Sequence, residues 1–177
     1  MLGGNGTSDY EVSIRPGNIA RHTPRSAAAQ GREAAVVDVA QDLLLRELQE
    51  NGTLMSVAIK GGTAIRKLYA GNEGRFSLDL DFAVAEVGQS REEASLAFAA
   101  AVDGLVIGPF SYGVVERRGK WSVTFSSRFV TEPTLQTKLD FSPAPWSLAR
   151  PSRGKLGAHA YPRLLWWPAA CYQDRSP

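Results

Sequence analysis

Leu78-Asp79-Leu80-Asp81-Phe82 sets two carboxylates at alternate positions of an otherwise apolar run. On a strand, side chains alternate between the two faces. Asp79 and Asp81 therefore point to one side, and Leu78, Leu80 and Phe82 to the other, towards a core. Two carboxylates on one face repel each other unless a cation stands between them, and a hard ion such as Mg²⁺ takes carboxylate and phosphate oxygens together. Upstream, Lys60-Gly61-Gly62-Thr63 supplies what a phosphate needs: glycines that allow a tight turn, and backbone N–H groups at a helix start. Such a site aligns an attacking hydroxyl with an α-phosphate and neutralises the leaving pyrophosphate. An Asp-x-Asp alone is better explained by two solvated aspartates on an edge strand. The glycine turn, the basic helix after it and Arg75-Phe76-Ser77 move the reading to chemistry.

A third carboxylate lies in Gln136-Thr137-Lys138-Leu139-Asp140-Phe141, a strand in which Lys138 and Asp140 share one face and Leu139 and Phe141 the other. Beside the Asp79–Asp81 strand, Asp140 would serve as a ligand or as the base that activates the acceptor hydroxyl. The bland alternative is a salt-bridged pair at the sheet surface. Asp79, Asp81 and Asp140 are thus the candidate catalytic and metal-holding residues. Gly61, Gly62 and Thr63 are the candidate phosphate holders, with Lys60, Arg66 and Lys67 as weaker ones. Lys67 also reads as the solvated side of a helix. Ser77 is expected to hydrogen-bond within its loop or to a phosphate, not to act as a nucleophile.

Positioning these residues needs a strand over 54–59, the glycine turn, and a short helix over 63–69 whose inner face is Ala64, Ile65, Leu68 and Tyr69. A loop at 71–74 then leads to the acidic strand. Before them, residues 32–50 repeat apolar side chains at three- and four-residue steps. Val36, Val37, Val39, Ala40, Leu43, Leu44 and Leu48 face in, Asp38, Gln41, Asp42, Arg46 and Gln49 face out, and Asn51-Gly52 ends the helix. After a turn at 86–90, residues 91–105 form a second helix that offers Leu96, Phe98, Ala99, Val102 and Leu105 for burial. Strands follow over 112–117, 121–130 and 135–142, with Arg117-Arg118-Gly119-Lys120 as a hairpin turn. Its basic tip is a solvated loop in preference to an RNA contact. The expected fold is α/β, a mixed and largely antiparallel sheet of about four to six strands with helices on one face.

Lys60-Gly61-Gly62-Thr63-Ala64, Arg66, Leu68-Tyr69 and Arg75-Phe76-Ser77-Leu78-Asp79-Leu80-Asp81-Phe82 resemble a known pattern, K-G-G-T-A-L-R followed by R-x-S-x-D-[LI]-D-[FL]. It is that of the nucleotidyltransferase toxins of the AbiEii/AbiGii abortive-infection type, which include the mycobacterial MenT toxins. The resemblance is carried by residues 55–82 and extends over 32–142, where a K-[LI]-[DE]-like segment supports Asp140. It implies a polymerase-β-like nucleotidyltransferase fold, a divalent metal (Mg²⁺ or Mn²⁺), a nucleoside triphosphate substrate, an RNA (tRNA) or protein acceptor, and a separate antitoxin as partner. Family members continue into a further helical region with a Glu-Lys pair and an Arg-Asp-rich helix. Here the chain ends about where that region should start, which reads as a naturally shortened member, a frameshifted remnant or a fragment. Two other functions stay open beside the toxin: an inactive relative that only binds a partner, and a transferase acting on a small molecule such as an antibiotic.

The 177 residues, 44% hydrophobic and 21% charged, suit a globular protein of one domain or slightly more. With no membrane-length apolar run and no signal peptide legible at the start, the expected location is the cytoplasm and no membrane partner is implied. One cysteine, Cys171, excludes an internal disulfide and offers no zinc pattern. A formal charge of +2 is too small to argue for nucleic acid by itself. Residues 1–31 read as a flexible arm whose Arg15, Arg21 and Arg25, with Arg32 just beyond, form a solvated basic tail or touch RNA phosphates; Tyr10-Glu11-Val12 is a possible short strand. Residues 32–142 are the nucleotidyltransferase core. Residues 143–177 are a Pro- and aromatic-rich tail whose Tyr161–Trp167 patch calls for a cover and motivates the partner-binding alternative; its lone His159 is structural.

Overall fold

A computed structural model describes residues 14–22, 31–70, 76–84, 89–130 and 134–143. The expected loop at 71–74 with Arg75, the possible strand at 10–12, most of the 86–90 turn, and the tail from 144 lie outside the described residues. The elements in chain order are α1 (Pro16–His22), α2 (Gly31–Glu50), a 3₁₀ turn (Thr53–Ser56), β1 (Val57–Lys60) and α3 (Gly61–Ile65), which runs on as a π-helical turn (Arg66–Ala70). They continue with β2 (Asp79–Val84), α4 (Arg91–Val102), β3 (Val106–Ile107), β4 (Phe110–Arg117), β5 (Lys120–Ser127) and β6 (Leu135–Ser142).

Among the described residues the strands form one six-stranded sheet in the order β1-β2-β6-β5-β4-β3. Every neighbouring pair is antiparallel except β2 and β6, which run parallel. That parallel pair needs a long crossover, supplied by everything from α4 to β5. The β4–β5 hairpin turns on Arg118 (φ 54°) and Gly119 (φ 74°), the two positive φ values of a tight turn whose twist matches the strands.

One face of the sheet is the core. Leu80, Phe82, Val84, Thr137, Leu139, Phe141, Val123, Phe125, Phe110 and Tyr112 are buried there, and Phe82, Phe98 and Phe141 form an aromatic knot with centroids 5.2–5.7 Å apart. α2 contributes the seven apolar residues expected of it and stops at Gly52, whose φ of 84° needs a residue without a Cβ. α4 starts on a capping box: Ser90 Oγ accepts from the Glu93 N–H at 3.1 Å, and the Ser90 N–H donates to Glu93 Oε2 at 3.0 Å. The Ser90 N–H first, and then the Ser90 hydroxyl, hold the Glu93 carboxyl below its ordinary value.

Several local expectations are corrected. Residues 53–56 wind as a 3₁₀ turn, so β1 begins at Val57. α1 forms inside the stretch read as an arm because Ile14 and Ile19 are buried against α2. Ile65, Leu78 and Leu96 are exposed although assigned to inner faces. Asp38, Gln41 and Asp42, assigned outward, are buried together with Lys67 and Arg66. Gln41 bonds Thr137; for the charged residues the reason is electrostatic. Asp38 Oδ1 and Asp42 Oδ1 each lie 2.6 Å from Lys67 Nζ, and Asp38 takes Arg66 through both carboxylate oxygens at 2.8 and 2.9 Å. Charged residues can face a core when their partners arrive from another element.

Candidate functional site

The site lies on the sheet face opposite the core. In the parallel β2–β6 ladder Asp81 stands beside Asp140 and Asp79 beside Lys138. On the other edge of β2, Lys60 pairs with Asp81. Side chains in register project to the same face, so Asp81 is flanked by a lysine on one strand and by a carboxylate on the other. Asp79 and Asp140 are exposed and Asp81 is half-buried. Among the described residues none of the three carboxylates has an ion pair within 4.0 Å.

The glycine turn is built around Asp81. Gly61 has φ +69°, and a Cβ placed on it would fall 2.6 Å from Asp81 Oδ2. A side chain there would strain the backbone and displace the carboxylate. A Cβ on Gly62 would sit 3.0 Å from Ser77 Oγ. Thr63 is fully buried, and its hydroxyl bonds the Asp79 carbonyl and lies 2.9 Å from Ser77 Oγ. A carbonyl can only accept, so the Thr63 proton goes to Asp79 and Ser77 donates to Thr63. Thr63 and Ser77 thus tie the helix start to the acidic strand with their side chains.

Arg66 is placed differently from the expectation. Its guanidinium is bonded to Asp38, it lies 4.5 Å over the Phe76 ring, and only 3% of its surface is exposed. A cation so held does not reach out to a phosphate on the open face. Lys67, 1% exposed, is likewise no solvated residue. Lys60 remains as the lysine beside Asp81. Arg91, at the start of α4, was not singled out from sequence. Its pKa is raised chiefly by the bond to and charge of Glu92, and in smaller part by the charge of Asp140.

The donor set suits a hard divalent ion: three carboxylates and, from a substrate, phosphate oxygens. Among the described residues no three Asp, Glu, His or Cys side chains converge closely enough to hold an ion by themselves.

A mixed sheet with helices on its buried face, a glycine turn against an aspartate, and acids in register on the open face define an α/β nucleotidyltransferase domain. The chain belongs to the AbiEii family of nucleotidyltransferase toxins: residues 42–150 match the family described as "Nucleotidyl transferase AbiEii toxin, Type IV TA system". Among solved structures it is similar to MenT4, a nucleotidyltransferase toxin from Mycobacterium tuberculosis H37Rv, with 32% identity and a TM-score of 0.62 over 73% of this chain. The match covers 44% of MenT4, so the chain spans less than half of that protein's length. Comparison with the curated proteins gives no significant sequence match.

Proposed function

We propose that the chain carries the metal-holding half of a nucleotidyltransferase toxin's active site. The toxin transfers a nucleoside monophosphate from a nucleoside triphosphate to an RNA acceptor, with tRNA the first to test, or to a protein, and is paired with a cognate antitoxin. The observation that supports this most is the position of Asp81, registered between Lys60 and Asp140 with Gly61 packed on its carboxylate.

Asp79, Asp81 and Asp140 would hold Mg²⁺ or Mn²⁺, which when bound offsets the charge of the triphosphate and polarises the α-phosphate. Gly61 and Gly62 let phosphate oxygens approach backbone N–H groups, and Lys60 adds a positive charge beside Asp81. The acceptor hydroxyl oxygen forms a bond to the α-phosphorus, the bond from that phosphorus to the bridging oxygen breaks, and pyrophosphate leaves. The hydroxyl proton passes to Asp140 when that carboxylate acts as base, or to water when Asp140 serves as a third ligand. Triphosphates and tRNA are cytoplasmic, which is where we place the protein; among the described residues no helix is long and apolar enough to cross a membrane.

The test is calorimetric titration with each of the four nucleoside triphosphates in Mg²⁺, on wild type and Asp81→Asn, followed by transfer of labelled nucleotide to total tRNA. Heat from wild type that disappears in Asp81→Asn is expected. Silence from wild type with every triphosphate at millimolar concentration contradicts the reading.

A further inference from the structure

β2 enters the sheet between two threonine hydroxyls. Thr63, from the glycine-turn helix, bonds the carbonyl of Asp79; Thr137, from β6, bonds the carbonyl of Leu78. Thr137 directly precedes Lys138, the residue in register with Asp79. Its hydroxyl has one proton, already given to a carbonyl, so anything else bonded to it must donate. That donor is Gln41 of α2, whose Nε2 lies 2.9 Å from Thr137 Oγ1.

The orientation has a consequence for Gln41. With its NH₂ turned to Thr137, its Oε1 is buried and, among the described residues, has no hydrogen-bond partner. Flipping the amide would bring Oε1 against an oxygen whose proton already points at Leu78. A buried acceptor without a partner is destabilising. Gln41 and Thr137 thus fix each other's orientation beneath the backbone from which Asp79 and Asp81 project, at the expense of a buried amide oxygen without a partner among the described residues.

We propose that Gln41 and Thr137 are positioning residues of the candidate site, a relay from α2 through β6 to the Leu78 carbonyl that sets where the Asp79 and Asp81 carboxylates stand relative to Asp140. This rests on the nucleotidyltransferase reading given above. It makes a prediction that a role in stability alone does not. Replacing Gln41 with methionine, of similar length and apolar, removes the orphan oxygen along with the bond to Thr137.

The experiment compares wild type, Gln41→Met, Thr137→Val and Thr137→Ser in three measurements: melting temperature, affinity for Mg²⁺ with the best-bound nucleoside triphosphate, and amide hydrogen exchange over residues 77–81. Gln41→Met is expected to melt at or above the wild-type temperature, yet to bind Mg²⁺–nucleotide roughly 10-fold more weakly, as when an outer partner of a metal-holding group is lost. Exchange over 77–81 should quicken while that of the β4–β5 hairpin stays unchanged. Thr137→Val should weaken binding similarly and Thr137→Ser, which keeps the hydroxyl, should restore it. Unchanged affinity in Gln41→Met, or a loss matched by a general rise in exchange, overturns the proposal. Should wild type bind no nucleotide, the nucleotidyltransferase reading fails, and the exchange measurement still decides: unaltered exchange over 77–81 in Gln41→Met overturns the relay.

Discussion

Replacing Gly61 with alanine strikes the contact on which the site's geometry depends. At φ +69° a residue with a Cβ is strained, at a cost of about 1–2 kcal/mol. The new Cβ would also begin 2.6 Å from Asp81 Oδ2, where real Cβ contacts essentially never fall below 3.0 Å. The obstructing atom is the end of a side chain on an open face, so the carboxylate swings aside by some tenths of an ångström and the fold survives. The fall in Tm should then be modest, roughly 2–8 °C at the usual 2–4 °C per kcal/mol for a chain of this size. Function should suffer more, because a coordinating group has to be held within about 0.5 Å of its productive position. Gly62→Ala is the control for stability alone. Its Cβ would meet Ser77 Oγ at 3.0 Å without a positive φ, and alanine's helix preference of up to about 1 kcal/mol offsets the crowding. Thermal melts with and without Mg²⁺ and nucleotide, alongside nucleotide affinity, read both quantities. Should Gly61→Ala lose stability as expected but keep wild-type affinity, then the packing of Gly61 on Asp81 has nothing to do with a metal–nucleotide site.

Three further outcomes are expected. Asp79→Asn and Asp81→Asn should each abolish the nucleotide-dependent rise in Tm in Mg²⁺ while leaving the melt without ligand unchanged or slightly higher, because a like-charge neighbour is relieved; a lower Tm in both conditions would mark them as structural. Lys67→Met leaves Asp38 and Asp42 short of their shared cation and should cost about 3–5 kcal/mol, visible as a lower midpoint in urea; an unchanged midpoint would mean the buried cluster contributes nothing. Tyr112, whose buried hydroxyl donates to the Ala40 carbonyl at 2.8 Å, has its pKa raised well above 10.0, first by burial and then by the charge of Asp42. A raised folded-state value makes its contribution full below the unfolded pKa near 10 and lost as pH climbs beyond it; wild type should thus lose stability between about pH 10 and 12 more steeply than Tyr112→Phe, in denaturation curves taken across that range.

Much of this protein is legible in one dimension because its signals are local. Alternation places Asp79 and Asp81 on one face of β2 whatever β2 pairs with, and two glycines before a helical stretch announce the turn. Arg118-Gly119 specifies the hairpin, and the apolar steps of α2 give its core face. The family pattern, too, runs through contiguous residues. Tertiary structure decided the remainder, wherever the partner of a residue lies on a distant element. The parallel register that sets Asp140 beside Asp81 joins strands separated by α4 and three intervening strands, and no local period encodes it. Asp38, Gln41 and Asp42 read as solvent-facing because hydrophobic periodicity counts every polar side chain as outward, and Arg66 as a weaker phosphate candidate because it follows the glycine turn. The burial of the charged residues follows from mutual neutralisation between α2 and the π-helical turn, and that of Gln41 from its bond to Thr137 of β6; both became visible only once the elements were brought together.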